Sequence, residues 1–243
     1  MKPLLNDILE AHGGYERWKQ VKAIHAQLKM GGNILLFKCK NPKPKSLQVT
    51  IEPHRIFARL HPFPKPGHTG IYKGEHVYIE DEHGQIISER KKAKSHAHNS
   101  RFWDDLDVLY FFGYALWNYI LTPYLFTQPG FELEELPIWK ENGLEWRCIK
   151  VRFPEDIPTH CREQRFYFGP DHLLGRLDYT AECFSKKASG VHYCRDYKYF
   201  QGFPVPTHRF VLPTKASGLP RAFPKAMEGW IEHVEMEFEG NAQ

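Results

Sequence analysis

The residues best suited to chemistry lie toward the C-terminal end of the chain, on a stretch with strand period. From Thr159 to Phe168, alternation places His160, Arg162 and Gln164 on the same face as Phe166 and Phe168. The segments that follow offer Arg176 and Asp178, then His192 and Asp196, then Thr207 and Arg209. Successive antiparallel strands would bring His160, Asp178, His192 and Arg209 together, in a register that sequence alone does not fix. A His–Asp pair in such a set orients an imidazole for general-base work. The same residues could equally form a satisfied polar network that stiffens a sheet. They could also read the polar head of an otherwise apolar ligand. Structural and ligand-polar roles outweigh catalysis here, because buried polar groups are paired whether or not they react.

Other catalytic chemistry finds little support. GxSxG, P-loop, GxGxxG, HExxH and CxxC patterns are all absent. Cys161 follows His160 directly, but adjacent strand residues point to opposite faces, which argues against a dyad. His96-x-His98 with His83, and His192-x-Cys194, have spacing a metal could use. Among 14 histidines such pairs arise by chance, and a metal site needs three or four ligands, so neither a metal nor a cofactor is expected. The five cysteines are odd in number and widely spaced, as suits reduced thiols.

A second cluster is aromatic. Trp103 to Phe126 reads as one helix, and from Val108 to Leu121 only Asn118 is strongly polar. This run is shorter than the about 20 residues a bilayer span needs. A helix apolar on every side should be buried on more than one face. Tyr110, Tyr114 and Trp117, at i, i+4 and i+7, share a face that could touch a ligand or could simply pack a core. Gly113 allows a close approach or a bend, and Pro123 ends or kinks the helix. A moving helix would hinge near Gly113 and Pro123 or at its ends.

The elements that must position these residues are mostly strands. Helices are expected at 4–11 and 14–19, broken at Gly13-Gly14. The period then becomes two, with turn chemistry at Gly31-Gly32, Asn41-Pro42-Lys43-Pro44, Lys73-Gly74 and His83-Gly84. Strands resume near Phe131–Ile138, Leu144–Phe153, Cys161–Phe168, Leu173–Cys183, Val191–Phe200, Val205–Leu212 and Trp230–Glu239. About twelve strands joined by short turns predict an antiparallel meander. So many strands curl under their own twist. The expectation is therefore a mainly β fold: one large antiparallel sheet forming a half-open barrel, covered by N-terminal helices and the apolar helix. Residues 1–243 would form a single domain, with N-terminal helices in 1–20, a first strand block in 21–92, the lid helix in 102–126 and a second strand block in 130–240.

Composition sets the outer limits. An apolar fraction of 42% with 14% aromatics supports a real core. The net charge of +4 comes from 33 basic and 29 acidic residues. That mixed surface is not the concentrated basic face of a nucleic-acid binder. The run Arg90-Lys91-Lys92-Ala93-Lys94 reads as a solvated loop, or else as a contact for an anionic membrane surface. Met1 to Asp7 has no apolar stretch, so no secretory signal is expected and a cytoplasmic, soluble protein is.

Residues spread over most of the chain carry a resemblance. They are Ala11-His12-Gly13-Gly14 with Trp18, Trp103-Asp104, Gly113-Tyr114-Ala115 with Trp117-Asn118-Tyr119, Thr159-His160 with Gln164, Leu173-Leu174 with Arg176 and Asp178-Tyr179, His192-Tyr193, and Pro206-Thr207 with Arg209. In these the chain resembles an uncharacterised family of soluble bacterial proteins. The expected fold of that family is that of the lipoprotein-localisation factors of the LolA/LolB type. The resemblance implies an unclosed barrel with a helical lid over an apolar, acyl-binding cavity. With no export signal expected at Met1–Asp7, the chain would depart from those factors in that respect.

The leading expectation is non-catalytic binding of a hydrophobic or amphipathic small molecule, a lipid or acyl chain, between sheet and lid. Its candidate contacts are Tyr110, Tyr114, Trp117, His160, Gln164, Asp178, His192 and Arg209. The alternatives are an enzyme using His160, Asp178 and His192 as acid–base groups, and a structural protein with a filled barrel. A helix-grip lipid-transfer fold is disfavoured because Trp230–Glu239 has strand period.

Overall fold

The computed structural model describes residues 3–32, 38–39, 45–141, 143–215, 219–221 and 223–240. Helices α1 (Pro3–Ala11) and α2 (Tyr15–Trp18) precede β1 (Val21–Gly31), β2 (Ser46–Glu52), β3 (Phe57–His61), β4 (Thr69–Lys73), β5 (His76–Glu80) and β6 (Ile86–Arg90). Next come α3 (Ala93–Asn99), α4 (Asp105–Leu121) and a 3-10 turn at Tyr124–Thr127. The chain continues with β7 (Glu132–Glu141), β8 (Leu144–Arg152), β9 (Glu163–Phe168), β10 (Leu174–Thr180), β11 (Ser189–Phe200), β12 (Phe203–Pro213) and β13 (Met227–Phe238).

Among the described residues the strands make one thirteen-stranded antiparallel sheet, ordered β6-β5-β4-β3-β2-β1-β13-β12-β11-β10-β9-β8-β7. The sheet is not closed into a barrel. The expected mainly β, antiparallel class is what forms. Two compact units divide the chain. One is Val21–Ile120 with Ala226–Gln243, and the other is Met1–Gln20 with Leu121–Lys225.

In the first unit, α4 is fixed at its start by two aspartates. Asp104 Oδ1 accepts the Asp107 N–H (3.1 Å), and Asp107 Oδ2 accepts the Asp104 N–H (3.3 Å). This is a reciprocal capping box built from two aspartates. The Asp107 side chain is fully buried, and Arg90 and His96 approach its Oδ1 at 3.0 and 2.7 Å. Arg90 also grips Asp104 with both terminal nitrogens. Burial opposes ionisation of Asp104, but Arg90 and the Asp107 amide outweigh it and bring its carboxyl down to about 2. Burial pushes Asp107 the other way, upward.

The body of α4 lies tight on the strands of its own unit. A Cβ on Gly113 would fall 2.3 Å from Tyr72 Cγ, and one on Gly70 would fall 2.6 Å from Leu109 Cδ1. The indole N–H of Trp117 donates to the carbonyls of Glu52 (3.1 Å) and Arg55 (3.0 Å). Gly113 is therefore a close-approach residue and not a bend.

The expected helix over 103–126 is corrected at both ends. It begins at Asp105 and stops at Leu121, and a 3-10 turn takes over after Pro123. The basic run is also corrected. Lys92 leads into α3, whose buried stripe is only Ala93 and Ala97, too small a signal to stand out as apolar periodicity. Arg90 is committed to Asp104 and Asp107, which leaves Lys91, Lys92 and Lys94 as the exposed basic side chains of the run.

In the second unit, Gly13 and Gly14 turn α1 into α2 at φ of 110° and 86°, a region that L side chains avoid. Trp18 stacks on Tyr124 at 4.0 Å, and the Tyr124 hydroxyl donates to the His12 carbonyl. Phe126 meets Phe166 of β9 at 4.8 Å. The short helices and the 3-10 turn thereby cover one face of β9.

Gly113→Ala should destabilise the protein by about 1–3 kcal/mol through overpacking, despite the about 1 kcal/mol that alanine ordinarily gains over glycine in a helix. Urea melts of the variant would check this. An unchanged or raised midpoint would show that Tyr72 can yield.

Candidate functional site

The strands of the second unit sort their side chains by register. His192 of β11 pairs with Leu177 on one side and Val211 on the other, and Leu177 pairs with Phe166. Cys194 pairs with Arg209. These residues share one face, since partners directly opposite point the same way and neighbours along a strand point apart. His160, just before β9, joins them by stacking on Tyr179 at 4.2 Å, and Tyr179 meets His192 edge-on at 6.3 Å. The end of α1 adds a third ring. His12 lies edge-on to Phe168 at 6.3 Å and donates Nδ1–H to the Ile8 carbonyl at 2.7 Å. Its Nε2 is buried without a hydrogen-bond partner.

Gln164 serves this face indirectly. Its amide donates to Thr159 Oγ1 (2.5 Å) and to the Cys161 carbonyl (3.1 Å), which clips down the loop that carries His160. Thr207 donates to the Asp196 carbonyl (2.5 Å) across a bulge where Asp196 takes a positive φ. The Asp196 carboxylate is turned largely to solvent, 3.7 Å from His208.

Burial determines the charge state. It lowers His160 to about 3 and His12 to about 4. It also lowers His192 well below the usual histidine value, helped by Arg209 and by the neighbouring His160. Arg209 acts on His12 in the same direction. At neutral pH the face thus carries three uncharged imidazoles beside one guanidinium. Each neutral ring can donate one hydrogen bond and accept one.

Asp178 is not part of this set. It pairs with Val191 and Arg165, one residue out of step with Leu177 and His192, so it points to the opposite face. The expected meeting of Asp178 with His160 and His192 does not occur, and neither ring is oriented by that carboxylate. A one-residue offset is enough to send a side chain through the sheet.

On that opposite face Asp178 takes part in a knot around Arg176. Arg176 donates Nε to Asp178 Oδ1 (2.8 Å) and Nη2 to Oδ2 (2.7 Å), while Nη1 reaches Glu141 (2.9 Å). Tyr193 donates to Glu141 at 2.7 Å and Tyr167 to Asp178 at 3.0 Å. The rings of Tyr167, Trp139 and Tyr193 surround the guanidinium at 4.8, 5.2 and 5.9 Å. Burial works against the Arg176 charge, but the two carboxylates outweigh it and hold its pKa above the usual arginine value.

Tyr110, Tyr114 and Trp117 belong to the other unit. All three are buried against the protein's own atoms. Tyr110 lies 6.1 Å from Tyr72 and 5.1 Å from Tyr114, and the Trp117 N–H is taken by the two carbonyls already described. Among the described residues no group of three or more His, Cys, Asp or Glu side chains is placed to hold a metal ion. His96, a metal candidate by spacing, faces Asp107. Strand alternation missed His12 and Tyr179. His12 comes from a helix, and only its place after Ile8, four residues on, hints at its inward turn.

No family model matches the chain, and no curated protein does either. Solved structures do. A LolA superfamily protein from Nitrosomonas europaea matches with a TM-score of 0.51 at 8% identity, over 95% of this chain and 92% of that one. A putative outer membrane lipoprotein-sorting protein domain from Vibrio parahaemolyticus matches with a TM-score of 0.52 at 9% identity, over 96% and 91%. The fold is LolA-like. A DUF1329 family protein from Desulfovibrio piger shares it, with a TM-score of 0.51 at 9% identity over 100% and 94%. No helix among the described residues is long and apolar enough to cross a membrane.

Two outcomes follow from the two faces. An unfolded histidine gains its proton below pH 6.5, whereas folded His12 and His160 resist it down to about 4 and about 3. Their stabilising effect is therefore complete above pH 6.5 and is lost as pH falls from there, at about 1.4 kcal/mol per pH unit for each ring. Asp104 adds a separate loss only at lower pH, between its ordinary 3.8 and about 2. Urea midpoints should fall as pH drops from 6.5 toward 4, and His160→Phe, which keeps a ring on Tyr179, should flatten that slope by roughly a third. A wild-type midpoint constant across this range would show that the rings are hydrated. Separately, Arg176→Ala should cost about 2–3 kcal/mol by leaving the half-buried Asp178 and Glu141 without their counter-charge. A loss below about 1 kcal/mol in the same melts would place the network in water.

Proposed function

We propose that this protein binds a hydrophobic or amphipathic small molecule with a lipid or acyl chain, and that the ligand's polar end meets the His160–His192–Arg209 face. One observation carries the reading. On a face that includes Phe166, Leu177, Tyr179 and Val211, imidazoles kept neutral by burial lie beside Arg209. Apolar binding sites are built this way, with a few polar groups that fix orientation within hydrophobic walls. The LolA-like fold supports the reading, and the lipoprotein-sorting description of the Vibrio parahaemolyticus domain favours a lipid-derived ligand over other apolar molecules.

Affinity would come mainly from removing the chain of the ligand from water, at about 25 cal/mol per Å². Arg209 would select an anionic head, and the neutral rings would add hydrogen bonds without repelling it. Gln164 would act by holding the His160 loop.

Native mass spectrometry of protein purified from its own host, followed by solvent extraction, should release a bound apolar compound. In solution, a fluorescent fatty-acid analogue should bind. Arg209→Ala should weaken that binding by roughly ten- to a hundredfold, the loss of a charge-assisted hydrogen bond, and should leave a neutral apolar probe nearly unaffected. Apo protein from the host together with no uptake of either probe would overturn the reading and favour a sheet packed only by its own side chains.

A further inference from the structure

From Tyr197 to Met227 the chain contains no aspartate or glutamate. Its charges there are Lys198, Arg209, Lys215, Arg221 and Lys225. After β12 this stretch folds back on itself. The Lys215 N–H donates to the Leu219 carbonyl and the Arg221 N–H to the Pro213 carbonyl, both at 2.8 Å, while Thr214 bridges Pro220 antiparallel. Phe223 is 81% exposed, more than any other large apolar side chain among the described residues, and Leu219 is 53% exposed. Lys215 and Arg221 are exposed with them, and Lys225 Nζ is held 5.1 Å from the Phe210 ring.

Such a loop needs a partner with two properties at once: an apolar interior for a phenyl ring and a leucine, and a dense negative surface for a collar of cations. The headgroup boundary of an anionic bilayer supplies both. Aromatic rings settle at that boundary, and lysine and arginine reach lipid phosphates. Nucleic acid would satisfy the cations and leave Leu219 in water.

We propose that the loop bearing Lys215, Leu219, Arg221, Phe223 and Lys225 docks on an anionic lipid surface. Phe223 and Leu219 enter the headgroup–acyl boundary, and the three cations pair with lipid phosphates. Lys91, Lys92 and Lys94 offer comparable charge, but Asp104, Asp105 and Asp107 follow them closely and α3 exposes no large apolar side chain.

Flotation with phosphatidylcholine vesicles, with and without phosphatidylglycerol, tests the proposal. The protein should float with the anionic vesicles and be released by raised salt. Each cation near such a surface is worth about fivefold in partition, so Arg221→Glu should weaken binding roughly tenfold or more. Phe223→Asp should weaken it at least as much, and Lys91→Ala/Lys92→Ala/Lys94→Ala, outside the docking loop, should weaken it far less than Arg221→Glu. Phe223→Trp should retain binding and gain an emission quenched by brominated lipid. All of these positions are exposed, and circular dichroism would confirm that the fold is kept. Any of three results would overturn the proposal: no binding to anionic vesicles, binding indifferent to Phe223→Asp, or binding lost only in the lysine triple variant. None depends on whether the protein carries a ligand.

Discussion

An ionisable side chain taken out of water must either keep a counter-charge in contact or give up its charge, and strands β8–β12 do one on each face. Arg176 keeps its charge. It is nearly inaccessible to solvent, and two carboxylates and three aromatic rings replace the water it has lost. His12, His160 and His192 give theirs up, because burial disfavours the proton on all three, outweighing the Ile8 carbonyl and Asp171 at His12, and Arg209 repels it from His12 and His192. The two solutions are not interchangeable. Removing a partner from a buried pair costs several kcal/mol, whereas a buried neutral imidazole costs only the hydrogen bonds it leaves unmade, so long as the pH leaves it neutral. The second face is therefore sensitive to acid.

Register makes this separation possible. Arg176 pairs with Tyr193 and Tyr167, and Leu177 pairs with His192 and Phe166. Shifting β10 by one residue would drive Arg176 into the aromatic face and place Asp178 beside the histidines. The knot itself guards against that slip. Arg176, Glu141 and Asp178 find their partners only in the observed register, and a displaced arginine would be buried without a carboxylate. The ionic face thus fixes the alignment that keeps the other face apolar. Among functional roles for buried ion pairs, setting register is the one with the best physical support.

The same asymmetry decides what the sequence could reveal. Regular alternation in β1, β2 and β13 made those strands plain, and the antiparallel class followed from turn chemistry between them. Strand β4 was hidden because Thr69, Gly70, Ile71 and Tyr72 are all buried, so no alternation marks them. Helix α3 was hidden because two alanines are all it buries. In the site, His160, His192 and Arg209 could be grouped from strand period. Asp178 could not be assigned to a face, because the sequence does not carry the pairing of β10 with β11. His12 was out of reach for another reason. It arrives from a helix distant in sequence, and no local period connects it to β9.

Helix α4 shows how far packing limits motion. Sliding it along its own strands would remove both acceptors of the Trp117 N–H, each bond worth about 1 kcal/mol. It would also draw Asp107 away from Arg90 and strand a buried carboxylate, at about 3–5 kcal/mol. The ring of Tyr72 fills the gap left by the missing Gly113 side chain, so rotation about the helix axis meets a steric barrier as well. A hinge at Gly113 would have to break all three restraints together. Helix α4 is therefore held at several points at once to β2, β4 and β6 of its own unit.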